Sequence, residues 1–205
     1  MESNSKWISR RQLLTGGVVS TIYGLTGCLS NPLNTPLATV NPGETKNIEG
    51  EPIQELHVDT FPEWVPFTGS VSVMSQPSNT EVGKLRITLQ NQTPKAWKLV
   101  TGHVWLPFPM DTSGGLIISQ GKAFEQKDDC LVKAPIAEGQ IGREQFDSDE
   151  TLRENRYLGT LKDTGECLPG GEHRFSNAYY AVPGDEEVHG EEDELFHWGF
   201  TLVLE

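Results

Sequence analysis

The sequence predicts an all-β domain of antiparallel sandwich type, and three observations carry that prediction. Residues 84–89 alternate strictly, with Leu85, Ile87 and Leu89 on one face and Lys84, Arg86 and Thr88 on the other, which is the period of a half-buried strand. Short runs rich in β-branched and aromatic residues recur at 54–59, 70–74, 96–100, 103–106, 116–119, 131–133, 157–161, 174–182 and 197–204, and Gly, Pro, Asn or Asp separates most of them. No stretch keeps a long helical period.

Roughly eight to ten strands in about 150 residues is the density of a sandwich. Turns are expected at 80–83, 91–95 and 169–171. The one helix candidate is 147–156, where Asp147 and Glu150 have capping-box spacing. Its polar sequence makes 136–156 a surface insertion. No internal repeat is present.

Ahead of the domain the chain reads as an address. Residues 1–11 are polar and net positive and end in Ser9-Arg10-Arg11-Gln12-Leu13-Leu14. Residues 13–27 are moderately apolar and include Gly16, Gly17, Gly24 and Gly27. At about 15 residues this stretch is too short for a membrane-crossing helix of about 20. It closes in Leu25-Thr26-Gly27-Cys28. The paired arginines resemble the core of a twin-arginine export signal, and the residues ending at Cys28 resemble a lipobox. In this order, with no charge between them, the two resemble the leader of a twin-arginine-exported lipoprotein, a kind common in halophilic archaea. The resemblance implies that the export machinery reads Arg10 and Arg11 and that residues 1–27 are removed. It also implies that the Cys28 thiol carries a diacylglycerol thioether. The expected partner is then the membrane, through the lipid anchor, at the extracellular face. An uncleaved N-terminal anchor helix is the other reading.

The formal net charge is −13. Residues 1–27 carry Glu2, Lys6, Arg10 and Arg11, a net of +2, so the chain from Cys28 onward stands at −15. Such a balance argues against nucleic acid as a partner, because phosphate binding needs basic patches. Acidic excess with few lysines also resembles the proteomes of halophilic archaea. An ordinary acidic secreted protein is the alternative.

Residues 29–52 hold Pro32, Pro36, Pro42, Pro52, Gly43 and Gly50 among polar residues. With Cys28 they read as a disordered tether (28–52) that lifts the domain (53–205) off the bilayer. Toward the end of the chain stand Leu168-Pro169-Gly170-Gly171-Glu172, a strand with Tyr180 and Val182, and a last strand around Trp198-Gly199-Phe200. This succession resembles prokaryotic surface domains of immunoglobulin-like type. The resemblance covers 53–205 and implies an antiparallel immunoglobulin-like β-sandwich preceded by a signal peptide and a flexible tether. It implies no activity, because one fold hosts many functions.

Once Cys28 is assigned to the lipid, Cys130 and Cys167 remain. In an oxidising exterior one disulfide is expected. It would close a loop of about 38 residues around the polar insertion, worth roughly 4 kcal/mol by loop-closure entropy. Two free thiols or a metal pair are the alternatives.

A search for chemistry returns little. A copper site would need Cys, His and usually Met on one late loop. Here Cys167 precedes His173 at long spacing, and no Met follows Met110. His57, His103, His173, His189 and His197 form no close zinc-type pair. The acidic run 185–194 lacks the alternating ligands of a calcium loop and reads as a solvated connection. No nucleophile motif and no phosphate-binding glycine loop appear. No cofactor, metal or catalytic residue is therefore assigned. Trp105 and Trp198 read as core. Trp64, in Phe61-Pro62-Glu63-Trp64-Val65-Pro66-Phe67, reads as cover for a sheet edge or as a partner patch. Asn91-Gln92-Thr93 matches a glycosylation acceptor at an expected turn, although Pro94 follows it. The expected function is that of a membrane-anchored, non-enzymatic binding or structural module with an envelope protein partner. The alternative is an accessory small-ligand or metal-binding protein of a transporter or redox complex.

Overall fold

A computed structural model of the protein describes residues 35–50, 52–101, 112–134, 142–187 and 194–205. All belong to one compact unit, Asn31–Glu205. Among the described residues there is no helix, and fourteen strands form two sheets. In chain order these are β1 Ala38–Val40, β2 Thr45–Asn47, β3 Ile53–Val58, β4 Phe67–Ser75, β5 Gly83–Asn91, β6 Trp97–Thr101, β7 Thr112–Ser113, β8 Leu116–Ser119, β9 Glu125–Lys127, β10 Cys130–Lys133, β11 Gly142–Phe146, β12 Thr151–Leu161, β13 Gly171–Pro183 and β14 Phe196–Leu204.

The larger sheet runs β1-β4-β5-β12-β10-β9, with β8 also on β12 and β7 on β8. The smaller runs β11-β6-β13-β14-β3-β2. The two face each other across one core, so the arrangement is sandwich-like. The alternation in β5 decides its orientation: Leu85, Ile87 and Leu89 are fully buried. From the other sheet Phe175, Trp198, Phe200 and Leu202 meet them in the same core. Each such side chain contributes about 1.5–3 kcal/mol by leaving water. A bulge opposite Val203 and Leu204 inserts Gln54 as an extra residue in β3. It allows Ile53 and Leu56, three positions apart, both to point inward.

The centre of the core is a tryptophan laid on a glycine. A Cβ on Gly69 of β4 would stand 2.5 Å from Trp198 Cζ2. Phe61 stacks on the same indole, with centroids 4.9 Å apart and planes 9° from parallel, and Trp198 Nε1 donates to Asp59 O at 3.1 Å.

Strand β12 changes partners along its length. Thr151–Leu158 pair with β5, and Thr160 and Leu161 then pair with β10 in parallel, which is the one departure from antiparallel order among the described pairings. On its opposite edge Tyr157–Thr160 pair with β8.

Two expectations are corrected here. The stretch 147–156 is not a helix, and it is not a surface insertion. The Asp147 N–H donates to Glu150 Oε2 at 2.6 Å, and Glu150 N donates to Asp147 O at 3.2 Å. The spacing that suited a helix cap serves a tight turn, after which β12 enters the centre of the larger sheet. The expected disordered tether does not hold over 38–47, because β1 and β2 close one side of the sandwich. Val40 is fully buried and Ile48 nearly so, and burial of apolar side chains holds a segment that composition reads as linker.

The strands define two ends. Ala38 pairs with Val73, near the end of β4, and Leu204 pairs with Ile53. These residues, Gly171 and the cysteine pair share one end, here the disulfide end. The turns 59–66, 92–96 and 147–150 share the other.

Candidate functional site

At the disulfide end, Cys130 opens β10 and Cys167 sits in the loop before β13. Their sulfurs are at bonding distance and their Cα atoms are 5.5 Å apart. Thr160 Oγ1, almost wholly buried, lies 3.3 Å from Cys130 Sγ and accepts from Leu168 N at 3.0 Å. Leu168 takes a φ of 47°, a conformation that side chains other than Gly, Asn and Asp rarely adopt. Buried His173 lies 2.8 Å from two backbone oxygens, Nδ1 to Ser113 O and Nε2 to Pro169 O. Cys167 and His173 are thus both engaged within the fold. Among the described residues no group of three or more His, Cys, Asp or Glu side chains is placed to hold a metal ion. Beside the cysteines is a cleft of ≈ 240 Å³ with Asp128, Asp129, Asp163 and Glu166 in its wall. Lys127 pairs with Asp163 at 2.8 Å. That hydrogen bond raises the lysine above its ordinary range and lowers the aspartate below its own.

Asn91 is a correction. The glycosylation reading needs a free amide, yet Asn91 is fully buried. Its Nδ2 donates to Lys95 O at 2.6 Å and to Asp147 O at 2.9 Å, and its Oδ1 accepts from Thr93 N and Thr93 Oγ1. The same Asn-x-Thr that suits a glycan also builds a tight turn. Here it fixes the corner where β5 leaves the larger sheet for β6, and ties it to the corner between β11 and β12.

A charged group inside the sandwich escaped sequence reading. Arg156 is about 1% exposed and donates to Glu154 Oε2 at 2.5 Å. Burial pushes Arg156 down and Glu154 opposes it. Burial also holds the fully enclosed Tyr179 hydroxyl well above its ordinary value, against the pull of Arg156. Glu144 of β11 is raised by burial first, then by Glu150 and Glu154. The signal was available, since Glu154 and Arg156 share parity with Leu152 and Leu158 in β12. The ion pair lies within β12, between the sheets, and no open cavity adjoins it among the described clefts.

Trp198 is core, as expected. Trp64 lies at the end away from the cysteines, 40% exposed, with Phe196 set edge-on at 5.5 Å. It covers the end of the aromatic core while leaving one side to solvent. A third feature lies on the outer face of the larger sheet. Asn41, Thr68, Ser70, Thr88 and Gln90 line a shallow cleft of ≈ 180 Å³ beneath Pro42. Every lining side chain that can hydrogen-bond is an uncharged hydroxyl or amide.

Arg10, Arg11 and Cys28 lie outside the described residues, as do His103, Trp105 and His189. No family model, no curated protein and no solved structure matches the chain.

Proposed function

We propose that this chain is a non-enzymatic binding module of the cell exterior, exported through Arg10 and Arg11 and held to the membrane by a lipid on Cys28. One observation carries the reading. The first strand opens at the disulfide end, and the exposed Trp64 lies at the other. Ala38 lies ten positions after Cys28, a reach of at most about 35 Å when extended. A lipid on Cys28 would then tether the domain through the strand that opens at its disulfide end, with Trp64 at the end farther along the fold from the anchor.

Strand order supports an immunoglobulin-like character. β4, β5 and β12 lie side by side against β6, β13 and β14. This is the order A-B-E against C-F-G, and β8 takes the place of strand D beside β12. The domain departs from antibody domains in two respects. Its disulfide staples an outer extension of one sheet, and its buried tryptophan is on the last strand.

Cell fractionation tests the anchor. The wild-type chain is expected with the membranes and a Cys28→Ser variant in the soluble exterior fraction. Arg10→Lys with Arg11→Lys is expected to leave the chain inside the cell. A Cys28→Ser variant that stays with the membrane sinks the lipid reading.

A further inference from the structure

We propose that the shallow cleft on β4 and β5 binds an acidic polysaccharide. The inference rests on the reading of the domain as a binding module and names the chemistry of its ligand.

The first argument is charge. The chain holds 29 Asp and Glu against 16 Lys and Arg, yet the outward positions of β4, β5 and β12 carry no carboxylate. They are hydroxyls, amides, Met74, Tyr157, Gly159 and Leu161, with three cations, Lys84, Arg86 and Arg153. The one carboxylate of β12, Glu154, points inward to Arg156. In so acidic a molecule three adjoining strands without an outward carboxylate, with Arg153 in register with Thr88, are complementary to an anion.

The second argument is the cleft. Thr88 pairs with Ser70 on one side and with Arg153 on the other, and Gln90 with Thr68 and Thr151. Directly opposed residues on one face stand about 4.5–5.5 Å apart at Cβ, so the exposed Arg153 side chain reaches the rim beside Thr88. Hydroxyls and amides both donate and accept, which matches the hydroxyl-rich edge of a sugar. A guanidinium pairs bidentately with a carboxylate. Glu44, near the rim, accepts from Asn41 N and Nδ2 at 3.1 Å and pairs with Lys46 at 3.5 Å. Its charge is taken up locally, and it fixes the Asn41 side chain at the rim.

The third argument is placement. Asn41 follows Val40, which pairs with Val71, and Thr68 and Gln90 lie farther still from Ala38. The cleft therefore sits in the half of the sheet away from the lipidated end, where a polymer can cross it. Tyr157 lies on the same face, four residues along β12 from Arg153 toward the disulfide end, where a polymer that runs along the strand would meet its ring.

The test is calorimetric titration of the full chain, purified in detergent, with hexagalacturonate as probe and maltohexaose as uncharged control. Hexagalacturonate is expected to bind and maltohexaose not. Arg153→Glu is expected to weaken binding at least about tenfold, the loss of one charge-assisted pair, and Thr88→Val about threefold. Lys98→Glu on the other sheet is expected to leave it unchanged. Unchanged melting temperatures exclude misfolding as the cause. Failure of hexagalacturonate to bind at about 10 mM, a level that would admit even very weak contacts, overturns the proposal. Equal binding of maltohexaose, or full binding by Arg153→Glu, also overturns it. None of these outcomes depends on where the chain is anchored, so the fractionation result stands or falls separately.

Discussion

The indole of Trp198 occupies the space that a Cβ on Gly69 would need, at 2.5 Å from its Cζ2. Gly69 pairs with Leu89 and Trp198 with Asn177, so neither backbone can withdraw without disturbing a ladder. Gly69→Ala is expected to cost about 1–3 kcal/mol through overpacking. Thermal unfolding followed by tryptophan fluorescence measures it. The variant with Trp198→Phe as well is expected to recover part of the loss, and no recovery would show that the contact is not the cause.

Asn91 gives a second expectation. Asn91→Ala removes a buried amide that satisfies two part-buried carbonyls and two donors of Thr93. The cost is expected to be about 2–4 kcal/mol, because unmet buried partners carry the penalty. Asn91→Asp keeps the acceptor and loses the donor, so it is expected to be no better. Denaturant midpoints test both, and intact mass of the native protein is expected to show no glycan at this position.

Reduction of the pair Cys130 and Cys167, or their joint replacement by Ala, is expected to lower stability by about 4 kcal/mol, the loop-closure entropy of a separation this long. The loss should be accompanied by faster amide exchange at Leu168 and Thr160. Equal stability in reducing and oxidising buffer would contradict it.

Glu144 sets a pH dependence. Its carboxyl is raised from 4.5 by burial and by Glu150 and Glu154. A carboxyl raised on folding holds its proton more tightly in the native state, so its contribution is present below pH 4.5 and is lost as pH rises through the raised value. Glu144→Gln removes that loss. The variant is expected to gain on the wild type as pH climbs above 4.5, seen as diverging urea midpoints. Parallel midpoints across the range would refute the assignment.

Much of the sandwich was legible because apolar alternation reports directly on burial. β5 and β14 are clear cases, since Leu85 to Leu89 and Phe196 to Leu204 each show the buried face in the letters. The first half of β12 reads as a helix, because Glu154 and Arg156 replace two of its inward apolar residues and satisfy each other instead. β1 was hidden for another reason: three residues between prolines carry too little pattern, and only pairing to β4 makes Val40 a core residue. The cysteine pair could be read by elimination. Asn91 could be read as a motif, but its burial depends on Asp147, 56 positions away. The cleft could not be read at all. Its lining comes from three separated segments, and the segregation of charge appears only when β4, β5 and β12 are set in register.

The placement of β1 has a mechanical consequence. It meets β4 over three residue pairs, reinforced by Leu37 N to Val73 O at 2.7 Å and by Thr39 Oγ1 with Ser72 Oγ at 2.8 Å. If residue 28 is fixed in a bilayer and a polymer drags on the opposite half of the sandwich, tension runs along the strand axis. The bonds between β1 and β4 are then loaded together in shear, and a short strand resists as a unit where peeling would break it one pair at a time.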